Sequence, residues 1–288
     1  MFVPVYDYLH PSHISSFIQQ ALQEDVGSGD HTSLSSIAAG TTNRARLLVK
    51  DEGVLAGVEL AHYIFAEVDN SLQVDFKMKD GDRMHKGDIV LTVQGSVHSI
   101  LKAERLVLNC MQRMSGIATY TRQLNALIEG TGARLLDTRK TTPNFRLPEK
   151  WAVKIGGGVN HRYGLFDMIL LKDNHVDYAG GVTNALKAAK NYLKTTGLSL
   201  DIELETRSLE EVEEALLEGG IKRIMLDNMA PEMMKEAVKL IGKQTEIEAS
   251  GGITEATIRE VALCGVNYIS VGALTHSAKS LDLSLKAY

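Results

Sequence analysis

The segment LDIELETRSLEEVEEALLEGGIKRIMLDN, residues 200–228, decides the fold. Two unbroken apolar runs end at the acidic residues Glu205 and Asp227, and between them Leu209–Glu218 repeats its apolar residues at helical spacing. Strands buried on both faces of a parallel sheet read as such runs, and joining them in parallel takes a crossover helix. Working outward, the same rhythm recurs: ARLLD ends at Asp137, FDMILLK at Lys172, TEIEAS at Ser250 and YISVG at Gly272, with further helices expected over Pro231–Ile241 and Thr254–Cys264. The steps between run ends are 35, 33, 22, 23 and 22 residues, and the last three each hold one strand, one helix and their loops. Six βα units in series predict an α/β barrel, short of the usual eight strands and therefore open or incomplete.

The front third is mixed. Ile14–Leu22 predicts a short amphipathic helix, Arg44–Lys50 and Leu72–Met78 predict strands, and Asp80–Val93 holds two Gly-Asp turns. A long helix is expected from Ile100 to Leu127, where Ala103, Leu106, Val107, Cys110, Met114, Ile117 and Leu124 form one face and Arg105, Asn109, Gln112 and Arg113 a polar stripe.

Composition bounds the function class. The chain has 288 residues, 44% of them hydrophobic and 23% charged, with a formal charge of −5. That balance suits a globular chain and argues against a general nucleic-acid or anionic-membrane binder. No apolar run approaches the ~18 residues of a membrane span, and the first thirty residues show no secretory pattern. Cys110 and Cys264 lack metal or redox spacing, so a reducing cytoplasm is the expectation.

Barrel enzymes place their chemistry at the carboxyl ends of the strands. Those ends read Asp137-Thr138-Arg139-Lys140, Lys172-Asp173-Asn174-His175, Glu205, Asp227-Asn228, Ser250-Gly251-Gly252 and Gly272-Ala273. Any one position could be a turn former; the whole set, each closing an apolar run, is harder to explain that way. Between Arg134 and His175 eight basic residues face four acidic ones, +4 locally, which leaves −9 for the rest of the chain. A solvated basic face is the plain reading, but the interleaving with strand ends favours anion ligands. Glu205 and Asp227 on adjacent strand ends suit Mg²⁺ held with substrate phosphates. The SGG (250–252) and VGA (271–273) turns suit a phosphate cradle.

Several stretches in order are similar to the quinolinate phosphoribosyltransferases: EDVGSGDHT (24–32), ERLVLNCMQRMSGIATYT (104–121), LLDTRKTTP (135–143), GGGVNHRYGLFDMILLKDNH (156–175), IELETRSLEE (202–211), MLDN (225–228), EASGGIT (248–254) and VGALTHS (271–277). The resemblance implies phosphoribosyl transfer to the ring nitrogen of quinolinate, release of pyrophosphate, and decarboxylation to nicotinate mononucleotide. It implies an α/β architecture with an N-terminal α/β sandwich (1–118) and an open, incomplete βα barrel of six or seven strands (119–288), the last residues being free to pack back on the first domain. It also implies a homodimer, with a higher oligomer left open, in which Arg105 enters the partner's site. By the motif matches, Arg139, His161, Arg162 and Lys172 would take the quinolinate dianion. Lys140 and Lys172 would face the phosphates, with Thr138 beside them. Glu205 and Asp227 would hold Mg²⁺ or ribose hydroxyls, and Ser250, Gly251, Gly252, Val271, Gly272 and Ala273 the 5′-phosphate. The catalytic set is then Lys140, Lys172, Glu205 and Asp227, while Glu203 ranks behind Glu205 and His276 reads equally as a loop residue.

Three other readings compete. Lys172 could serve as the Schiff-base lysine of an aldolase-type barrel. GDRMHKGDIVLTV (81–93) resembles the hairpin of biotinyl and lipoyl carriers, yet Gln94-Gly95-Ser96 stands where the modified lysine would be. A related phosphoribosyltransferase could use another pyridine carboxylate.

Overall fold

The computed structural model describes residues 7–288, so the first six residues of the expected 1–118 domain lie outside it. In chain order the strands are β1 (Thr42–Val49), β2 (Gly53–Val54), β3 (Gln73–Phe76), β4 (Arg83–Met84), β5 (Ile89–Ser96), β6 (Arg134–Leu136), β7 (Ile169–Leu171), β8 (Ile202–Thr206), β9 (Arg223–Asp227), β10 (Glu246–Ser250), β11 (Tyr268–Ser270) and β12 (Leu283–Ala287). They divide between two compact units. One holds residues 8–122, 140–157 and 273–288, the other 123–139 and 158–272. The division is interleaved, unlike a single cut at 118/119: residues 140–157 leave the strand-end loop after β6 to form a helix with the first unit, and the C-terminal strand pairs there too.

The first unit is built on an antiparallel sheet in the order β12-β1-β5-β3. Ala45, Leu47 and Val49 of β1 are buried while their neighbours are not, the period-two pattern of a sheet with one covered face. Helices Pro11–Val26 and Val58–Val68 and the long helix from Val97 supply apolar side chains to this unit's core. Asp80 accepts from the first amides of Val58–Val68, at 2.9 Å and 3.1 Å, satisfying donors that the helix leaves orphaned. All seven residues expected on the apolar face of the long helix are buried. The 81–93 hairpin is part of the scaffold, with β4 paired to β2 and β5 to β1 and β3.

The second unit is a six-stranded parallel sheet in the order β6-β11-β10-β9-β8-β7. Its two end strands, β6 and β7, are not paired to each other, and this is the open barrel of the sequence reading. A single parallel bridge from Leu136 to Val159 adds the stub of a seventh strand beside β6. Helices Leu209–Glu218 and Pro231–Ile241 have the expected limits. The third is shorter than expected, Ile258–Ala262, because Thr254–Thr257 forms a turn in which the Thr257 hydroxyl accepts from the Thr254 amide at 3.0 Å, a local bond that competes with helix. Cys264 therefore lies beyond the helix.

Gly116 shows how tightly the long helix is packed. A Cβ on it would lie 2.0 Å from the Lys279 carbonyl oxygen, within the same unit. Gly116→Ala is expected to cost about 1–3 kcal/mol by overpacking, seen as a lower urea midpoint at unchanged slope; an unchanged midpoint would contradict the packing.

Candidate active site

The carboxyl ends of the parallel strands carry a charged set whose members are held in different ways. Asp137, fully buried at the end of β6, accepts from Asn160 Nδ2 at 2.6 Å and the His161 amide at 2.8 Å. It anchors the 160–162 loop. From that loop the Arg162 side chain reaches back, donating through one terminal nitrogen to the Met168 carbonyl at 3.2 Å, while its buried Nε has no hydrogen-bond partner. Arg162 is only 9% exposed. Burial first, and the Arg139 charge next, lower its pKa; Glu203 and Asp167 oppose them. A guanidinium that is buried and feels a second positive charge is one that a bound anion would stabilise.

Below Arg162 lies a buried ionic cluster. His161 Nδ1 accepts from the Arg162 amide at 2.8 Å, so its proton sits on Nε2, which donates to Glu203 Oε2 at 2.8 Å. This makes the ring neutral. Glu203 and Glu248, both fully buried, share the Arg223 guanidinium, 3.7 Å and 3.1 Å away, and Arg223 stacks 4.3 Å from the Tyr268 ring centroid. Burial, then the Glu203 charge, push the Glu248 carboxyl up to about 8. His161, Glu203 and Glu248 bring ligand atoms within 4.8 Å of one another. A metal on Nε2 would need the proton on Nδ1, facing the Arg162 N–H, and Arg223 already supplies the cation. The cluster fits a proton-holding support better than a metal site.

Glu205, two residues after Glu203 on β8, is buried, and Lys172 Nζ stands 4.0 Å from it. Burial first and the Asp227 charge second raise its pKa, against the opposing Lys172. Two carboxylates that repel across neighbouring strand ends are a hard-oxygen donor pair, and their chemistry fits Mg²⁺. Asp227 is steadied by Asn228, whose Nδ2 donates to it at 2.7 Å. Asn228 takes a left-handed backbone (φ 52°), donates its amide to the Ser250 carbonyl at 2.9 Å, and packs against Gly251, where a Cβ would lie 2.3 Å from its Oδ1. Only glycine fits at 251. With Gly251 (φ 94°) and Gly252 (φ 61°) both left-handed, the SGG turn curves its backbone into a shape that suits an anion.

The remaining candidates are less uniform. Thr138 and Arg139 are half-buried after β6, Ser250 and Gly272 are half-buried, and Lys172 is exposed. Val271 is buried and donates its amide to the Leu136 carbonyl at 3.0 Å, so that N–H serves the sheet. Arg105, Lys140 and Ala273 belong to the sandwich unit, Arg105 and Lys140 exposed and Ala273 half-buried. His276 is exposed and its Nδ1 lies 2.6 Å from the Ser277 hydroxyl. Sequence reasoning gave Asn228 and Glu248 no role. Asn228 directly after a strand-end aspartate was the visible signal for the first, while Glu248 was hidden inside an apolar run. A cavity of about 450 Å³ lined by Lys222, Lys243, Glu246 and Asn267 lies at the opposite, amino ends of β9 and β10 and holds none of these residues. No helix among the described residues is long and apolar enough to cross a membrane.

Known proteins resemble this chain over nearly its whole length. The quinolinate phosphoribosyl transferase C-terminal domain matches residues 117–286 and the N-terminal domain matches residues 30–115. The chain belongs to the quinolinate phosphoribosyltransferase family. It is 48% identical over 293 residues to quinolinate phosphoribosyltransferase [decarboxylating] 2, mitochondrial, of Nicotiana glauca, covering 96% of this chain and 83% of that protein. It is also 48% identical to nicotinate-nucleotide pyrophosphorylase [carboxylating], chloroplastic, of Arabidopsis thaliana, covering 96% and 84%. Among solved structures, NadC from Streptococcus pyogenes superposes with a TM-score of 0.89 at 40% identity, covering 97% of this chain and 98% of that one.

For a family member built this way, the buried cluster sets a pH dependence of stability. Glu248 has its folded pKa raised, so the folded state holds a proton that the unfolded chain gives up. This contribution is complete below the ordinary glutamate range and is lost as pH rises through about 8. Urea midpoints from pH 5 to 9 are expected to fall for the wild type and to fall less steeply for Glu248→Gln, which is neutral throughout. Parallel curves for the two proteins would contradict the assignment.

Proposed function

We propose that the protein transfers the phosphoribosyl group of phosphoribosyl pyrophosphate to the ring nitrogen of quinolinate and that the adduct loses CO₂ to give nicotinate mononucleotide in NAD biosynthesis. The observation that carries this reading is the basic set at the strand ends, the buried Arg162, the half-buried Arg139 and the exposed Lys172, which suits an acceptor with two carboxylates better than one with a single carboxylate. Family membership and the names of the relatives point the same way.

In the reaction the N–C1′ bond forms as the C1′–O bond to pyrophosphate breaks. Charge grows on the leaving group, where Lys140 and Lys172 stabilise it electrostatically. Mg²⁺, held by Glu205 and Asp227, supplies further neutralisation of the phosphates when bound. Thr138 and the Ser250–Gly252 and Val271–Ala273 turns orient the phosphoribosyl group; since the Val271 amide is engaged in the sheet, Gly272 and Ala273 carry more of that second turn. Arg139, Arg162 and Lys172 hold the dianion, and His161 orients Arg162 from behind through its backbone bond. Once the ring nitrogen is quaternary, it accepts the electron pair of the breaking C–CO₂ bond, and the ring carbon then takes a proton. The residues need only fix the dianion and exclude water. The working assembly in this reading is a homodimer, Arg105 of each chain reaching the partner's site, and the two unpaired cysteines suit the cytoplasm.

With quinolinate, phosphoribosyl pyrophosphate and Mg²⁺, the protein is expected to release CO₂ and pyrophosphate in equal amounts, and chelation of the metal should stop both until Mg²⁺ is restored. Equal turnover of nicotinate without CO₂ would contradict the quinolinate reading. Arg139→Ala should lower kcat/KM for quinolinate by about 10- to 150-fold, the worth of a charged hydrogen-bonding group. Mixed under subunit exchange with inactive Arg105→Ala, it should regain part of the activity, and no recovery would count against a shared site.

A further inference from the structure

The polar stripe of the long helix, Val97–Leu127, has a member that no substrate role absorbs. Arg113 is turned into its own unit, where it meets the carboxylate of Glu149 on helix Arg146–Ile155. Glu149 is fully buried. Its Oε1 accepts from Arg113 Nε at 3.1 Å, from a terminal nitrogen of Arg113 at 3.0 Å and from the Thr142 hydroxyl at 3.0 Å, and its Oε2 accepts from the Thr142 amide at 3.0 Å. Four donors on one buried carboxylate meet most of the cost of removing it from water.

The same arginine continues the network. One terminal nitrogen donates to the Ala278 carbonyl at 2.6 Å and the other to the Thr275 carbonyl. Thr275, itself fully buried, then donates its hydroxyl to the carbonyl of Lys140 at 2.9 Å. The bonds close a ring, Arg113 to Glu149 to Thr142, along the chain to Lys140, and through Thr275 back to Arg113. Every member lies in the sandwich unit.

We infer that Arg113, Glu149 and Thr275 are positioning residues for Lys140, holding the backbone that directly follows its Cα so that its side chain is presented to the leaving pyrophosphate. The inference rests on the role given to Lys140 above. Residues 137–145 have no helix or strand to hold them, and Lys140 is an exposed side chain on a long, flexible stem. Electrostatic stabilisation of a leaving group depends on a charge that is already in place, and here the place is set by bonds to the carbonyl of residue 140 and the amide of residue 142. A buried ion pair is a poor device for stability alone, since apolar residues of the same volume often serve as well. It is a good device for fixing one loop conformation, because the carboxylate must find the Thr142 amide and hydroxyl together.

The test is a double-mutant cycle. The full chain is prepared as wild type, Lys140→Ala, Glu149→Gln, Thr275→Val, and the two doubles that add Lys140→Ala. The readouts are pyrophosphate release with quinolinate and phosphoribosyl pyrophosphate, the KM of each substrate, and calorimetric binding of quinolinate. Glu149→Gln and Thr275→Val should each lower kcat/KM for phosphoribosyl pyrophosphate by about tenfold or more while quinolinate affinity stays within about threefold; in the Lys140→Ala background the same changes should cost less than about twofold. Equal losses in both backgrounds, an equal loss of quinolinate affinity, or a Lys140→Ala enzyme as fast as wild type would overturn the inference. If Glu149→Gln does not fold, Thr275→Val decides, since it removes the hydroxyl that bonds the Lys140 carbonyl and leaves the Glu149 carboxylate in place. A wild type that releases no pyrophosphate removes the proposed function and the inference with it, whereas an active wild type with additive losses removes the inference alone.

Discussion

Burial of the Arg162 guanidinium, with the charge of Arg139 adding to its cost, is the constraint around which the barrel end is organised. Bringing two guanidiniums together away from full hydration costs free energy unless the surroundings compensate. The compensation is layered. Asp137 pins the loop that carries Arg162, the Met168 carbonyl takes one of its terminal donors, and the Glu203–Glu248–Arg223 cluster lies behind His161. Within that layer Arg223 faces Glu203, Glu246 and Glu248, and the raised pKa of Glu248 reduces the negative charge that Arg223 has to offset. The field at the mouth is left to the cations Arg139 and Arg162, to the acids Glu205 and Asp227, and to the exposed Lys172, whose Nζ stands 4.0 Å from Glu205.

Both kinds of group have a place in a phosphoribosyl transfer to a dianion. In the proposed reaction the positive groups would attract the acceptor's carboxylates, and the acidic pair would hold a divalent cation together with the donor's phosphates. Repulsion between Glu205 and Asp227 mirrors that between the two arginines; the acceptor's carboxylates would relieve the arginines, and a divalent cation would relieve the acids. Asn228 ties the acidic pair to the glycine turn, since one side chain steadies Asp227 and abuts Gly251.

Much of this was legible in the residues. The six apolar runs were the six strands of the open sheet, because strands buried on both faces leave no polar alternation to confuse the reading. The apolar face of the long helix was legible for the same reason, the regular spacing of large side chains. What escaped was set by tertiary contacts. Glu203 and Glu248 sit inside apolar runs, where an acidic residue carries no mark of what it faces, and helix Arg146–Ile155 follows DTRKTTP without a clean apolar period. The polar stripe Arg105–Arg113 read as one surface but is two. Arg105 and Asn109 are exposed, whereas Gln112 bonds the Leu283 carbonyl and Arg113 bonds Glu149. The helix period places all four on one side and says nothing of which neighbours cover half of it. The return of the last residues to the first domain was allowed for and is seen in the β12–β1 pairing, whereas the excursion of residues 140–157 was illegible, since a strand-end loop that leaves one unit for the other has no composition of its own.

The central claim is that paired guanidiniums await two carboxylates. Calorimetric titration of the full-length protein with quinolinate and with nicotinate, at fixed pH and salt, tests it most directly. Quinolinate should bind at least about tenfold more tightly, the worth of one charged hydrogen bond or more, and Arg162→Gln should erase most of that difference. Equal affinity for the two acids, or a preference that survives Arg162→Gln unchanged, would contradict the account.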